Sequence, residues 1–562
     1  MNILGINYYF HDSTACLVSD GKLVVAIEEE RLSRDKHTYA FPKLSIAKCL
    51  DFAGISTSDI DAIAVSIQPG KDWHKKAAYG LKNITSSKPF VSHELINGLS
   101  KQRNLKNWYK TTWPNKNQAP PIYYVPHHQS HAAGTFLVSP FESAAILSLD
   151  GSGEWSTSFL GKGEGNSIEQ YHESYFPMSL GSFYEAATEF CGFRPNYDEG
   201  KTMGLAPMGN PERFYQEASK IVNIGDDGQI NIDLSYFNYQ FWGHRRISQK
   251  FENIFGKART KNGEFESHHM DVAAAFQRVL EDCALKMCEI LKQKTNSNKL
   301  VIAGGVSLNS VMNGRIVRES NFDEIYVMPA AGDNGTAIGA AFYVYNCILD
   351  HKRNFHHDNP FIGNEYSNEQ IEAILKECKL AYQQHDDIES VAAKLLHEGQ
   401  ILGWHQGRME IGPRALGNRS ILANPSLPGI KDKINAEVKH REAYRPFAPS
   451  STIEDANRFF EDLGDNPFML KVCDVHEQCK KVLPAITHVD GSARLQTVHK
   501  DTNPRYHTLI SKLGELNNTP VVLNTSFNIM GEPIVESPYD AIRCFFSTGL
   551  DSLVIGNYLI KK

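Results

Sequence analysis

Apolar residues fall in short runs broken by Gly, Asn and Asp along most of the chain. The first thirty residues show the plan. NILGINYY is apolar and strand-like, DSTACLVS alternates, Asp20-Gly21 forms a turn pair, and KLVVAIEEERLSR reads as the returning strand. The stretch SAAILSLDGSGEWSTSFLGKG, beginning at Ser143, repeats that plan. A β-branched run meets an acidic, small-residue turn at Asp150, and a second strand and a Gly-rich turn follow.

Two polar-tipped hairpins, each leading half of a domain, suggest the duplicated actin/hexokinase-type ATPase plan. Later segments support an α/β class. DAIAVSI reads as a buried strand, and MDVAAAFQRVLEDCALKMCEILKQ has apolar residues at helical spacing. KLVIAGGVSLNS and DEIYVMPAAGDNGTAIGAAFYVYNCIL each pass from strand through glycines to helix, where open α/β sheets place ligands. Residues 350–370 are polar and lack apolar periodicity. They mark a boundary between a first domain, 1–355, and a second α/β domain, 356–562.

Composition narrows the function classes. A chain of 562 residues is too long for one core. It is 41% hydrophobic and 22% charged, which is ordinary for a globular protein, and its net charge is −7. No chain-wide basic footprint for nucleic acid exists. No apolar run reaches the ~18 residues expected of a membrane span. The N-terminus lacks a basic stretch followed by an apolar one, so no secretory signal is expected. The 10 cysteines are scattered without a C-x-x-C pair. A reduced cytoplasm is the expected compartment.

The candidate chemistry starts at PHHQSHAAGTF. His127 and His131 are four apart, so one helix face carries both, at a spacing suited to one ion. Asp333, in the small-residue loop AAGDNGTAIG, is the best candidate for a third ligand; His128 faces elsewhere and is expected to be structural. Fe(II), Zn(II) and Mn(II) all suit such a set. GGVSLN, with Gly304, Gly305 and Asn309, and GDNGT are candidate phosphate cradles. NYDEGKTMGLAPMG brings Glu199 and Lys201 beside glycines, as a ribose-binding loop would. His11, at the first hairpin tip, suits a general base near neutral pH. In the second domain Arg408, Arg414, Arg419, Lys439, Arg441, Arg445 and Arg494 alternate with Gly, Pro and aromatic residues rather than with acids. Guanidiniums near turns suit bidentate binding of phosphate. VVLNTSFN runs from a strand into Asn524, Ser526 and Asn528.

Read together, FHDSTACLV, EEERLSRDKH, PHHQSHAAGTF, LDGSGEW, EGKTMGLAPMG, GGVSLN, GDNGTAIGAA, GRMEIGPRALGNRSILA, REAYRPFAPS, DGSARLQTV and NTSFNIMGEPIV resemble the NodU/CmcH family of O-carbamoyltransferases, which includes the tobramycin-type enzymes. The resemblance implies an N-terminal domain like the tRNA threonylcarbamoyl-transferase (Kae/TsaD) fold and a C-terminal YrdC-like domain. It implies formation of carbamoyl adenylate from carbamoyl phosphate and ATP in the second domain. The first domain then transfers the carbamoyl group to a hydroxyl of a natural product or sugar. It places iron on His127, His131 and Asp333, with Mg²⁺ accompanying ATP. It assigns Arg414, Lys439, Arg445, Arg494, Asn524 and Ser526 to carbamoyl phosphate and ATP, and His11 to the acceptor hydroxyl. Asp150, Glu199, Lys201, Gly304, Gly305 and Asn309 are the expected nucleotide contacts of the first domain. Some relatives carry an acid where this chain has Tyr9, which bears on acceptor recognition.

Three other readings keep much of this framework. A tRNA threonylcarbamoyladenosine enzyme would share both domains, but the chain is acidic and lacks a basic arm. A hydrogenase-maturation carbamoyltransferase would carry an acylphosphatase module and C-x-x-C zinc fingers, and neither is visible. A metal- and nucleotide-binding regulator without turnover is the non-enzymatic reading. The acceptor is not legible; residues 68–120 and 225–265 are the irregular stretches expected to shape its pocket. No nucleic-acid or membrane partner is expected; the oligomeric state is not legible in the sequence, and a homodimer is one assembly it leaves open.

Overall fold

The computed structural model describes every residue except 84–87, 242–244 and 443. The chain divides into two compact units. The first comprises Met1–Glu29 and His37–His357, the second Glu30–Lys36 and Asp358–Lys562. The short segment Glu30–Lys36 groups with the second unit although no local pattern distinguishes it.

Among the described residues the first unit carries two five-stranded sheets built on one plan. One runs Lys22–Glu28, Thr14–Ser19, Asn2–Asn7, Ala62–Val65, Ile122–Tyr124; the other runs Ser167–His172, Ser158–Glu164, Ser143–Leu149, Lys299–Ala303, Glu324–Val327. In each, three antiparallel strands continue into two parallel ones. The duplicated actin/hexokinase-like plan expected from the two hairpins is therefore present. One detail differs. The returning strand KLVVAIEEERLSR stops at Glu28, and Glu29–Ser33 is a helical turn. Three consecutive glutamates suit a helix start better than a buried strand.

The long helix spans Ser267–Thr295, and its alanine, valine and phenylalanine positions are buried. The helix Thr336–Phe342 is buried along its whole length, which only small and apolar residues such as TAIGAAF allow. Gly339 lies on it where a β-carbon would overlap the carbonyl oxygen of Ser130 on the helix His127–Phe136. That contact sets how closely the two helices approach.

The second unit is built on a mixed sheet in the order Gln383–Gln384, Tyr558–Lys561, Ser552–Ile555, Leu402–His405, Arg419–Ala423, Val521–Ser526, Ala448–Thr452, Gln496–Val498. Helices Ile388–His397 and Pro504–Asn517 cover one face, packing Leu396, Tyr506, Leu509 and Leu513 around Trp404. The other face packs Ile421, Leu523 and Leu553 against Ile434, Phe447 and Phe545. Each fully buried side chain of this size contributes roughly 1.5–3 kcal/mol. No helix among the described residues is long and apolar enough to cross a membrane.

Candidate functional site

The helix His127–Phe136 starts immediately after Pro126. The carboxylate of Glu154 accepts from its first amide, His127 N, at 3.0 and 3.1 Å. Negative charge at a helix N-terminus is favourable, and it fixes where His127 begins. One turn later, His131 projects from the same face. Its Nε2 lies 3.1 Å from Nε2 of His127. Asp150 Oδ2 lies 3.0 Å from the His127 nitrogen and 3.4 Å from that of His131. Asp333 Oδ1 lies 3.5 Å from both. All four side chains are buried.

These separations test whether an ion fits. Bonds of about 2.0–2.2 Å from a tetrahedral ion place neighbouring ligand atoms about 3.3–3.6 Å apart. The five separations above run from 3.0 to 3.5 Å, so the nitrogen and oxygen atoms converge on one point at that spacing. Two imidazoles and two carboxylates suit a divalent transition ion. Asp150, expected from sequence to touch nucleotide, stands with the expected ligands. Its other oxygen, Oδ1, accepts from Gly305 N at 3.0 Å. The Gly304–Gly305 turn thus buttresses the ligand; at Gly304, with φ +88°, a β-carbon would strike Leu149.

The electrostatics follow from the burial of these groups. Burial pulls the His131 imidazole down, but Asp150 and Asp333 outweigh it and hold it up at about 9. Burial raises the Asp150 carboxyl, and His127 and His131 overcome that and hold it well below the usual carboxylate range. His128 is spent on structure: its Nδ1 is 3.1 Å from Ser148 Oγ and its Nε2 is 3.2 Å from the Ser156 carbonyl. Burial first, and then His127, push it down to about 3, so it is neutral.

His11 stands beside this group, with Nε2 3.9 Å from Asp333 Oδ2. Its Nδ1 lies 2.9 Å from Asp12 Oδ2. Asp12 also holds His37, whose Nδ1 is 2.7 Å from Oδ1. Asn7 Nδ2 donates to the carbonyls of His11 and Asp12, tying the hairpin tip together. Burial opposes protonation of His11, but Asp333, Asp12 and Asp150 together raise its pKa above the ordinary value. The carboxylate that orients His11 was missed in the sequence because it is simply the next residue. Tyr9 is buried, its ring 4.7 Å from that of Tyr8.

The remaining expected nucleotide contacts each have a partner within the first unit. Asn309 caps the helix Ser310–Glu319 by accepting from Met312 N, and it exchanges hydrogen bonds with Gln277. Lys201 pairs with Asp198 at 3.2 Å. Glu199 accepts from Asn196 N at 2.7 Å; burial, then Glu185, push it up to about 7.

In the second unit the arginines separate into two groups. Arg419 is fully buried and donates to the carbonyls of Gln406, Gly407, Asn418 and Glu536; Arg408 donates to those of Ile362 and Gly363. Those two hold loops. Arg414, Arg441, Arg445 and Arg494 also act on one another, while Arg441 donates to Asn435 Oδ1 at 2.9 Å and the Pro446 carbonyl at 3.2 Å, and Arg445 lies 3.9 Å from Glu442. Burial, then Arg445, push Arg414 down to about 10 and Arg441 down to about 9. Burial, then Arg414, Arg441 and Arg445, push Arg494 well down. Mutual repulsion of this kind is relieved by an anion. Lys439 closes the group from a buried position. Its Nζ donates to Ser526 O at 2.5 Å, Ser526 Oγ at 3.3 Å, Asn528 O at 3.0 Å and Asn528 Oδ1 at 2.8 Å.

Residues 2–342 match the family model described as carbamoyltransferase N-terminus, and 393–562 the one described as carbamoyltransferase C-terminus. Nodulation protein NolNO of Sinorhizobium fredii is 38% identical over 99% of this chain and 80% of its own. Nodulation protein NolO of Bradyrhizobium diazoefficiens is 41% identical over 78% of each. The 3'-hydroxymethylcephem-O-carbamoyltransferase of Amycolatopsis lactamdurans is 33% identical over 64% of each. Among solved structures, full-length HypF matches 62% of this chain and 47% of its own at 14% identity and a TM-score of 0.32, too slight to add to what the sheets themselves show.

Proposed function

The chain belongs to the carbamoyltransferase family, and we propose that it is an ATP-dependent O-carbamoyltransferase acting on a hydroxyl of a small natural product or sugar. In its C-terminal, YrdC-like unit, carbamoyl phosphate, ATP and one water give carbamoyl adenylate, phosphate and pyrophosphate. Water releases carbamate and phosphate, and a carbamate oxygen then attacks the α-phosphorus with departure of pyrophosphate. The first unit passes the carbamoyl group from the adenylate to the acceptor hydroxyl, and AMP leaves.

This reading is supported by the group around Arg445, in which Arg414, Arg441 and Arg494 are lowered first by burial and then by their cationic neighbours, with buried Lys439 beside them. Such a set suits a ligand with several phosphate oxygens. Lys439, held by Ser526 and Asn528, adds a fixed positive point at the end of the strand. Mg²⁺ would accompany ATP.

In the first unit, His127, His131, Asp150 and Asp333 would hold a divalent transition ion, iron(II) by the family resemblance. Bound there, the ion would neutralise charge on the departing AMP. His11 accepts the proton of the attacking hydroxyl at Nε2, while Asp12 at Nδ1 fixes the ring's orientation. Glu199 would accept from a ribose hydroxyl in this reading. Residues 68–120 and 225–265 shape the acceptor pocket in this reading; 84–87 and 242–244 lie outside the described residues.

The test is product mass spectrometry with candidate alcohols. A mass gain of one carbamoyl group that requires both ATP and carbamoyl phosphate is expected. Carbamoylation without ATP would refute the adenylate route.

A further inference from the structure

The motif EEERLSRDKH ends on His37, and the first unit resumes at that residue. Ser13 N donates to Thr38 O at 3.0 Å, which lays this stretch against the hairpin tip. His37 Nδ1 lies 2.7 Å from Asp12 Oδ1, while the other oxygen, Oδ2, lies 2.9 Å from His11 Nδ1. One carboxylate thus bridges two imidazoles, with one oxygen for each. Burial raises the Asp12 carboxyl, but His11 and His37 outweigh it and hold it below the usual carboxylate range. An ionised carboxylate can only accept, so both rings carry a proton at Nδ1. The lone pair of a neutral His11 is then left at Nε2.

The backbone supplies a second, independent observation. Asp12 has φ +52° and His37 has φ +56°. Left-handed backbone is costly for residues with a β-carbon, and such outliers gather where a site dictates them. Here the two strained residues are the two partners of one hydrogen bond. Asp12 is held in place, since its carbonyl accepts from Asn7 Nδ2 at 3.1 Å and Thr14 Oγ1 at 2.9 Å. Tyr197 stands edge-on to the His37 ring, with centroids 4.7 Å apart. An extended backbone at either residue would redirect its side chain and break the bridge.

We propose that His37 is a positioning residue: by occupying Oδ1 of Asp12 it fixes the rotation of that carboxylate, so that Oδ2 holds the His11 ring with Nε2 toward the attacking hydroxyl. This rests on the reading of His11 as the base. A carboxylate held on one side only would turn about its bond and let the ring swing. His37 touches no substrate in this role and moves no proton.

The experiment uses the full chain with supplied carbamoyl adenylate and glycerol as the probe alcohol, and follows AMP release and carbamoylated glycerol. His37→Gly suits the left-handed backbone and removes only the side chain. It should lower kcat about 10-fold and leave KM for carbamoyl adenylate unchanged. His37→Asn should recover most of the rate, because Asn tolerates this conformation and its Nδ2 can donate to Asp12. His37→Asp has the same shape and tolerance but no donor, and should fall with His37→Gly. That Asn and Asp pair decides the matter if His37→Gly does not fold. In an Asp12→Ala background, His37→Gly should cost nothing further. Full rate in His37→Gly, equal rates in the Asn and Asp variants, or an added loss in the Asp12→Ala background overturns the inference. Wild-type rate in His11→Ala would instead sink the reading of His11 as the base. If wild type does not turn over glycerol, nitrogen NMR of the neutral His11 ring in the zinc-loaded chain takes over, with its signals assigned by their loss in His11→Gln. Wild type and His37→Asn should hold the proton at Nδ1, and His37→Gly should mix the two tautomers. One tautomer in all three overturns the inference.

Discussion

Gly339 and Ser130 touch so closely that a β-carbon on the glycine would occupy the position of the Ser130 carbonyl oxygen. The helix carrying Gly339 begins three residues after Asp333, and the helix carrying Ser130 bears His127 and His131. The spacing of the four residues proposed to hold the ion is therefore set by a backbone contact that none of them makes.

Gly339→Ala should force the two helices apart. Overpacking of this kind costs ~1–3 kcal/mol, read as a lower thermal midpoint. It should also reduce bound metal per chain, measured by elemental analysis, although no ligand is altered. Full metal content in a destabilised variant would show that the ligand spacing tolerates the shift.

Asp150→Ala should lose metal as severely as His131→Ala. If Asp150 served nucleotide alone, its removal would spare metal content and weaken only nucleotide binding. Both variants should reduce carbamoyl transfer far more than pyrophosphate release, because the second unit has its own basic group.

Asp12→Asn removes one of the charges that raise the His11 pKa. His11 serves as a base only when neutral, so activity rises as pH rises through that pKa. Lowering the pKa moves the acidic limb of the rate profile to lower pH, while the loss of orientation reduces the plateau by about 10- to 100-fold. An unmoved limb would assign the titration to another group.

Arg445→Ala should abolish pyrophosphate release and leave hydrolysis of supplied carbamoyl adenylate intact. The same group predicts a stability effect. If phosphate binds among the four arginines, a hundredfold excess over its dissociation constant should stabilise wild type by about 2.7 kcal/mol, read as a raised thermal midpoint. Arg494→Ala should blunt that gain. An equal gain in both would place the anion elsewhere.

Local periodicity made part of this legible. His127 and His131 could be paired from sequence because i and i+4 share a helix face whatever surrounds them. The hairpins were legible because strand, turn and strand are adjacent in the chain. The role of Asp150 was not, because it meets the histidines through the parallel pairing of Ser143–Leu149 with Lys299–Ala303 and the helix laid across them. The arginines show the same limit. Arg408 and Arg419 share a motif with Arg414, yet they meet backbone carbonyls while Arg414 faces other cations. Residue type did not separate them, and the course of the backbone did.

The two matching sheets of the first unit have diverged at equivalent corners. Where one hairpin closes, the chain carries His11 paired with Asp12; where its counterpart closes, it carries Asp150 against His127 and His131. Mutational damage at either corner should accordingly sort into separate kinetic phenotypes, one in acid–base behaviour and the other in metal dependence.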